Sequence, residues 1–186
     1  KIKLGSHENV GWGEIHLPES TMHTTAYWIE FPEDAADRYQ LPQAELGAAL
    51  NALANALRQV APVHVLCDPS DIRAHANLRA PHSDRPAIFL YETYPGGVGF
   101  AAKLYTAHER LLSAAIALLT DCPCKHGCPS CVGAALEIGT AGKTGALKLA
   151  DNALAPVDDR GICSTENSTT TSGERILVTS VEDSSV

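Results

Sequence analysis

Four of the six cysteines in this 186-residue chain stand inside Cys122-Pro123-Cys124-Lys125-His126-Gly127-Cys128-Pro129-Ser130-Cys131. Thiolates this close together suit a metal ion: zinc takes four soft or borderline ligands in a tetrahedron at about 2.0 to 2.3 Å, and two cysteine pairs on one tight loop supply all four. The spacing is C-x-C-x3-C-x2-C, so Cys128 and Cys131 form the usual C-x2-C hook and Cys122 and Cys124 a tighter one. Gly127 frees the backbone to turn between the pairs, while Pro123 and Pro129 stiffen it. Three other chemistries compete. Disulfides fit poorly, because bonds between neighbours in one short loop cross-link almost no chain. A thioredoxin-like dithiol leaves Cys122 and Cys124 unexplained. A four-cysteine iron–sulfur cluster stays open as the rival ion site, and His126 as a replacement for one thiolate, although four cysteines already suffice. Four protein ligands leave no open position for water or substrate, so the reading is one structural zinc ion, with Cys67 and Cys163 uninvolved.

A second stretch, Pro95-Gly96-Gly97-Val98-Gly99, links strand-like sequence to helix-like sequence. Such a turn exposes backbone N–H groups at the positive end of a helix dipole, where a DNA phosphate could sit. The glycines Gly96, Gly97 and Gly99, with Lys103 one turn into the helix, are therefore the candidate phosphate contact. The competing reading is that they only permit a sharp turn and close packing. Gly139-Thr140-Ala141-Gly142-Lys143-Thr144 imitates a nucleotide-binding loop, but Glu137 stands where that loop needs glycine and no buried strand precedes it. The chain alone is therefore expected neither to bind nor to hydrolyse ATP. Asp68 and Asp71 read as turn caps rather than metal ligands. His64 reads as a structural histidine, and Trp12 and Trp28 as core or sheet-face aromatics rather than base-stacking platforms.

The elements that must position these groups follow from periodicity. Residues 10–17 and 23–31 read as a β-hairpin, the second strand alternating Thr25, Tyr27, Ile29 and Phe31 on one face. Leu46, Leu50, Leu53, Leu57 and Val60 mark one stripe of a helix over 42–60, which Pro62 ends. A short buried strand follows at 63–67, then a polar connection over 68–86 with a turn or short strand of its own. Residues 86–91 are the clearest buried strand. They run through the glycine turn into a long helix, 100–120, that ends on Cys122. A short helix starts at Lys143, and from Ser164 the chain is Ser/Thr-rich, with one candidate strand at 175–181.

The composition bounds the function. At 45% hydrophobic, the chain is large enough for a real core. It has no apolar run of membrane-spanning length and no signal peptide, which points to a reducing, cytoplasmic setting that suits free thiols. It also begins in strand-like sequence without an initiator Met, as a piece of a longer protein would. The formal charge of −8 argues against a free-standing nucleic-acid binder, and four thiolates with one Zn²⁺ add to the acidity. DNA contact, if made, is local or arranged by a neighbouring domain.

Several stretches together resemble the zinc-binding C-terminal domain of DEAD/DEAH-box DNA helicases of the mitomycin-repair-factor type. They are Glu8-Asn9-Val10-Gly11, His23-Thr24-Thr25, Ala61-Pro62 with Cys67-Asp68, Tyr91-Glu92-x-Tyr94-Pro95-Gly96-Gly97-x-Gly99, and Cys122-x-Cys124-x3-Cys128-Pro129-x-Cys131-Val132. The last two are the specific ones. The resemblance implies that the four cysteines bind zinc. It also implies that the domain sits behind two motor domains of the same polypeptide, which hydrolyse ATP and move 3′ to 5′ along single-stranded DNA in DNA repair. Glu92 departs from the pattern, standing where Asp is common, and the chain beyond about residue 155 is unmatched. No motor motif is read in this chain.

The expectation is thus an α+β domain over 1–155, an antiparallel or mixed sheet covered on one side by two long helices with a four-cysteine zinc loop, followed by a Ser/Thr-rich tail over 156–186. Its expected role is to stabilise a DNA helicase and help hold or route single-stranded DNA. The alternative is an assembly module without DNA contact, which the acidic charge favours.

Overall fold

A computed structural model describes residues 21–134, 138–139, 141–154 and 176–179. Its centre is a three-stranded antiparallel sheet. Strand β1 (Thr21–Thr24) leads through Thr25 into β2 (Ala26–Glu30), and the sheet is completed by β3 (Ile72–Asn77) and β4 (Ala87–Glu92) in the order β2-β4-β3. Strand β4 is central because it is apolar on both faces, as a strand covered from both sides must be. Ile88 and Leu90 face the helices with Tyr27 and Ile29 of β2, while Ala87 and Phe89 face the other way and meet Trp28. Trp28 is thus a sheet-face aromatic, edge-on to His82. Trp12 and the expected strand over 10–17 lie outside the described residues.

The helical layer covers one face. A four-residue turn of helix, α1 (Ala35–Arg38), leads to α2 (Leu46–Val65), whose Leu46, Leu50, Leu53 and Leu57 are all fully buried. Each such leucine contributes roughly 1.5–3 kcal/mol of burial. Helix α2 crosses between β2 and β3, two parallel strands with β4 between them. Pro62 does not end this helix: α2 continues to Val65, and the strand expected at 63–67 is its last turn. A proline loses only its own N–H, and the Pro62 carbonyl still accepts from Leu66 and Cys67. Leu66 closes the helix in the left-handed conformation, φ 58. His64 accordingly lies on a helix surface. The polar connection holds β3, and Asp68 caps its turn by accepting from the Ser70 N–H and hydroxyl.

The long helix expected over 100–120 is two, α3 (Phe100–Thr106) and α4 (His108–Asp121), broken at Ala107. There the Ala107 N–H is shared between the Lys103 and Leu104 carbonyls. His108, at the break, pairs through Nδ1 with the buried Tyr27 hydroxyl, and burial holds its pKa below the usual value. A final helix, α5 (Gly142–Leu154), lies against α2 and α4. The approach to α2 is close: a Cβ on Gly145 would stand 2.6 Å from that of Ala49. The strand expected at 175–181 is β5 (Ile176–Thr179), antiparallel to β1. Among the described residues no helix is long and apolar enough to cross a membrane.

Candidate metal centre

Helix α4 stops at Asp121, and Cys122 turns out in extended conformation, so the loop begins where the helix delivers it. Gly127 then takes φ +117, and a Cβ there would stand 2.3 Å from a Val132 methyl. Only glycine allows the reversal that brings the second cysteine pair back over the first. Past Pro129 and Ser130 the chain folds two N–H groups back onto Cys128. Cys131 and Val132 donate to the Cys128 carbonyl, in a tight turn that buries Cys131 and Val132 in the core.

The result is a convergence of four sulfurs. The ligand atoms of Cys122, Cys124, Cys128 and Cys131 all lie within 4.8 Å of one another. Cys122 is 3.6 Å from Cys128, Cys124 is 3.5 Å from Cys131, and Cys128 is 3.6 Å from Cys131. A zinc tetrahedron with Zn–S of about 2.3 Å has edges of about 3.8 Å, so these separations fit one ion at the centre. They are far longer than the roughly 2.05 Å of a disulfide, and too short for a multi-iron cluster to stand between the thiolates. His126 is exposed and does not belong to the converging set; neither does Cys67.

The loop also prepares thiolates. N–H groups of Cys131 and Ser130, with the neighbouring thiols, pull the Cys128 pKa down to about 6. At Cys124 burial pushes the pKa up, but hydrogen bonds from Cys122, Cys131 and the Gly127 N–H outweigh it and the net shift is downward. Burial pushes Cys131 up to about 12. A doubly charged cation supplies the field that ionises such a thiol, so metal binding completes what the backbone begins.

The glycine turn is built differently from a phosphate cradle. Glu92, at the end of β4 and 1% exposed, accepts the Ala101 N–H and the Thr25 hydroxyl on Oε1 and the Val98 N–H on Oε2. Burial opposes its charge, yet these bonds and the Gly99 N–H hold its pKa below the ordinary glutamate value. The remaining turn amides are also engaged, Gly96 with the His23 carbonyl and Gly97 with the Tyr94 carbonyl. The carboxylate therefore occupies the amide site that the sequence assigned to a DNA phosphate. Lys103 remains exposed on α3, its Nζ 6.0 Å from the Phe100 ring centre. The Thr24 hydroxyl, 2% exposed, donates to the carbonyls of Glu92 and Tyr94, so the His23-Thr24-Thr25 and Tyr91–Gly99 stretches are one structure in space. Sequence reasoning missed this carboxylate; the signal was an acidic residue at a strand end with glycines 4, 5 and 7 residues later.

These features define the class: a four-cysteine structural zinc module built into an α+β domain. Residues 53–132 match the family model of the MrfA Zn-binding domain. The uncharacterized ATP-dependent helicase YprA of Bacillus subtilis is 39% identical over 151 residues, 81% of this chain and 20% of its own. The ATP-dependent helicase HRQ1 of Saccharomyces cerevisiae is 24% identical over 133 residues, 65% of this chain and 12% of its own. The crystal structure of the DUF1998 helicase MrfA bound to DNA superposes with a TM-score of 0.66 at 40% identity, covering 81% of this chain and 20% of that one. Residues 53–132, which hold the metal loop, are thus similar to the MrfA Zn-binding domain, and the chain spans about a fifth or less of the length of the two helicases.

Proposed function

We propose that the chain is the zinc-stabilised accessory domain of an ATP-dependent DNA helicase acting in repair, and that it helps hold single-stranded DNA beside the motor domains of the same polypeptide. The observation that carries this reading is the four-sulfur cluster inside a segment that matches helicases over 81% of the chain. The similarity to a helicase crystallised with DNA supports the DNA half. The zinc loop ties α4 to the rest of the core, so its part is to make a rigid body against which a motor can work.

With the amides of the glycine turn satisfied internally, the DNA contact proposed at Gly96, Gly97, Gly99 and Lys103 is carried by the Lys103 ammonium, which the turn positions. A single ammonium reads phosphate without sequence, so affinity falls with salt and is similar for different strands. Lys103→Glu in a full-length helicase carrying this domain should weaken single-strand binding in fluorescence anisotropy at two salt concentrations, with zinc content and fold unchanged. Unwinding and affinity indifferent to that charge reversal would favour the second reading, an assembly module without DNA contact, for which the net charge of −8 speaks.

A further inference from the structure

Lys143 is 8% exposed at the start of α5. Its Nζ donates to the Cys122 carbonyl at 2.8 Å and the Cys124 carbonyl at 2.7 Å, and lies 3.6 Å from the Cys124 sulfur. An ammonium has three protons, and here each has an acceptor, all three on the metal loop. Among the described residues no carboxylate pairs with it. A buried cation without a counter-charge is costly enough to be expelled or neutralised. Among the described residues the negative charge within reach is that of the cysteine thiolates, which exceed the charge of a zinc ion by two.

We infer that Lys143 is the positioning residue of the zinc loop, clamping the Cys122–Cys124 arm through its carbonyls and offsetting thiolate charge at Cys124, so that metal retention and the docking of α5 are coupled. The inference rests on zinc occupying the four-cysteine site, and it holds whether or not the domain touches DNA. It also accounts for the stretch that imitates a nucleotide loop. Gly145 allows α5 to lie against Ala49 of α2, and that close approach carries Lys143 to the loop. Partners of this kind, one layer beyond the ligands, fix ligand orientation and tune metal affinity, typically by ten- to a hundredfold.

The full chain, loaded with zinc, would be challenged with excess chelator and zinc release followed by a colorimetric indicator, with total zinc counted first by elemental analysis. Lys143→Met keeps the stem and removes the charge; it should release zinc about tenfold faster or more, and Lys143→Arg should recover part of the loss. In cobalt-substituted protein the thiolate-to-cobalt charge-transfer bands should move in Lys143→Met and return toward wild type in Lys143→Arg. Leu149→Ala, a core truncation on the same helix away from the loop, should lower stability and leave those bands in place. Should Lys143→Met not fold, wild-type protein stripped of zinc should lose hydrogen-exchange protection in residues 142–154 together with the loop, while β4 and the middle of α2 keep theirs. Wild-type release rate and bands in Lys143→Met, or α5 protection indifferent to zinc, would overturn the inference. Failure of the wild-type chain to bind zinc at all would instead overturn the metal site itself.

Discussion

Cys128 lies 3.6 Å from both Cys122 and Cys131, and backbone N–H groups already draw its pKa to about 6. Replacing it with serine leaves three thiolates and a harder oxygen that ionises poorly. Structural zinc is worth about 10 to 16 kcal/mol in apparent terms in zinc-finger peptides, more than the net stability of most domains, so Cys128→Ser should lose both zinc and cooperative unfolding. Elemental analysis and thermal unfolding measure the two together. Cys67→Ser should keep a full complement of zinc, because Cys67 is outside the sulfur cluster, and burial, Asp71, Asp68 and Glu92 all hold its thiol protonated. Metal loss in the Cys67 variant would mean the ligand set is wrong. The four ligands were legible in the sequence because a loop of ten residues leaves its cysteines nowhere else to go.

Between strand β4 and helix α3, Glu92 does for the element what the cysteines do for the loop. Its carboxylate satisfies N–H groups at the start of α3 and bonds Thr25 across to the β1–β2 corner, so turn, helix and corner share one anchor. Glu92→Gln puts an amide donor against those N–H donors and should cost about 2 kcal/mol, the range for hydrogen bonds to a charged group. The sign of the pH dependence follows from the depressed pKa. Stabilisation by the ionised carboxylate is fully present above the unfolded value of about 4.3 and is lost as pH falls through the lower folded value. The difference in urea midpoint between wild type and Glu92→Gln should therefore be constant from pH 7 to about 5 and shrink below about 4. A difference that persists undiminished in acid would assign the effect to packing. At this scale the sequence was only partly legible. Periodicity placed α2 and an apolar run placed β4, but the break at Ala107 has no marker, since alanine is a strong helix former and the Tyr27–His108 pairing is remote in sequence.

Across the whole molecule the chain divides its labour between two faces of one sheet. Helices α2 and α3 pack one face, α4 and α5 lie against α2 with the metal loop at the end of α4, and the other face is left to the small cluster of Trp28, Phe89, Ala80 and Ala87. Lys143, the lysine of the stretch that imitates a nucleotide loop, points its ammonium into that metal loop. The purified chain should release no phosphate from ATP above background. Hydrolysis that vanishes in Lys143→Ala would contradict this.

What the sequence by itself determined was local chemistry: a metal site closed within ten residues, a helix with a leucine stripe, and a strand too apolar to lie anywhere but the centre. These follow from spacing, because their partners are near in the chain or their periodicity is strong. What only the tertiary structure decided was where four polar side chains went. Glu92 turned inward and took the amides that a phosphate would have used, Thr24 and Thr25 met a turn some seventy residues away, and Lys143 crossed from α5 to the metal loop. A buried charge must find its partner in space rather than in sequence, and no periodicity records which distant carbonyl or amide that will be.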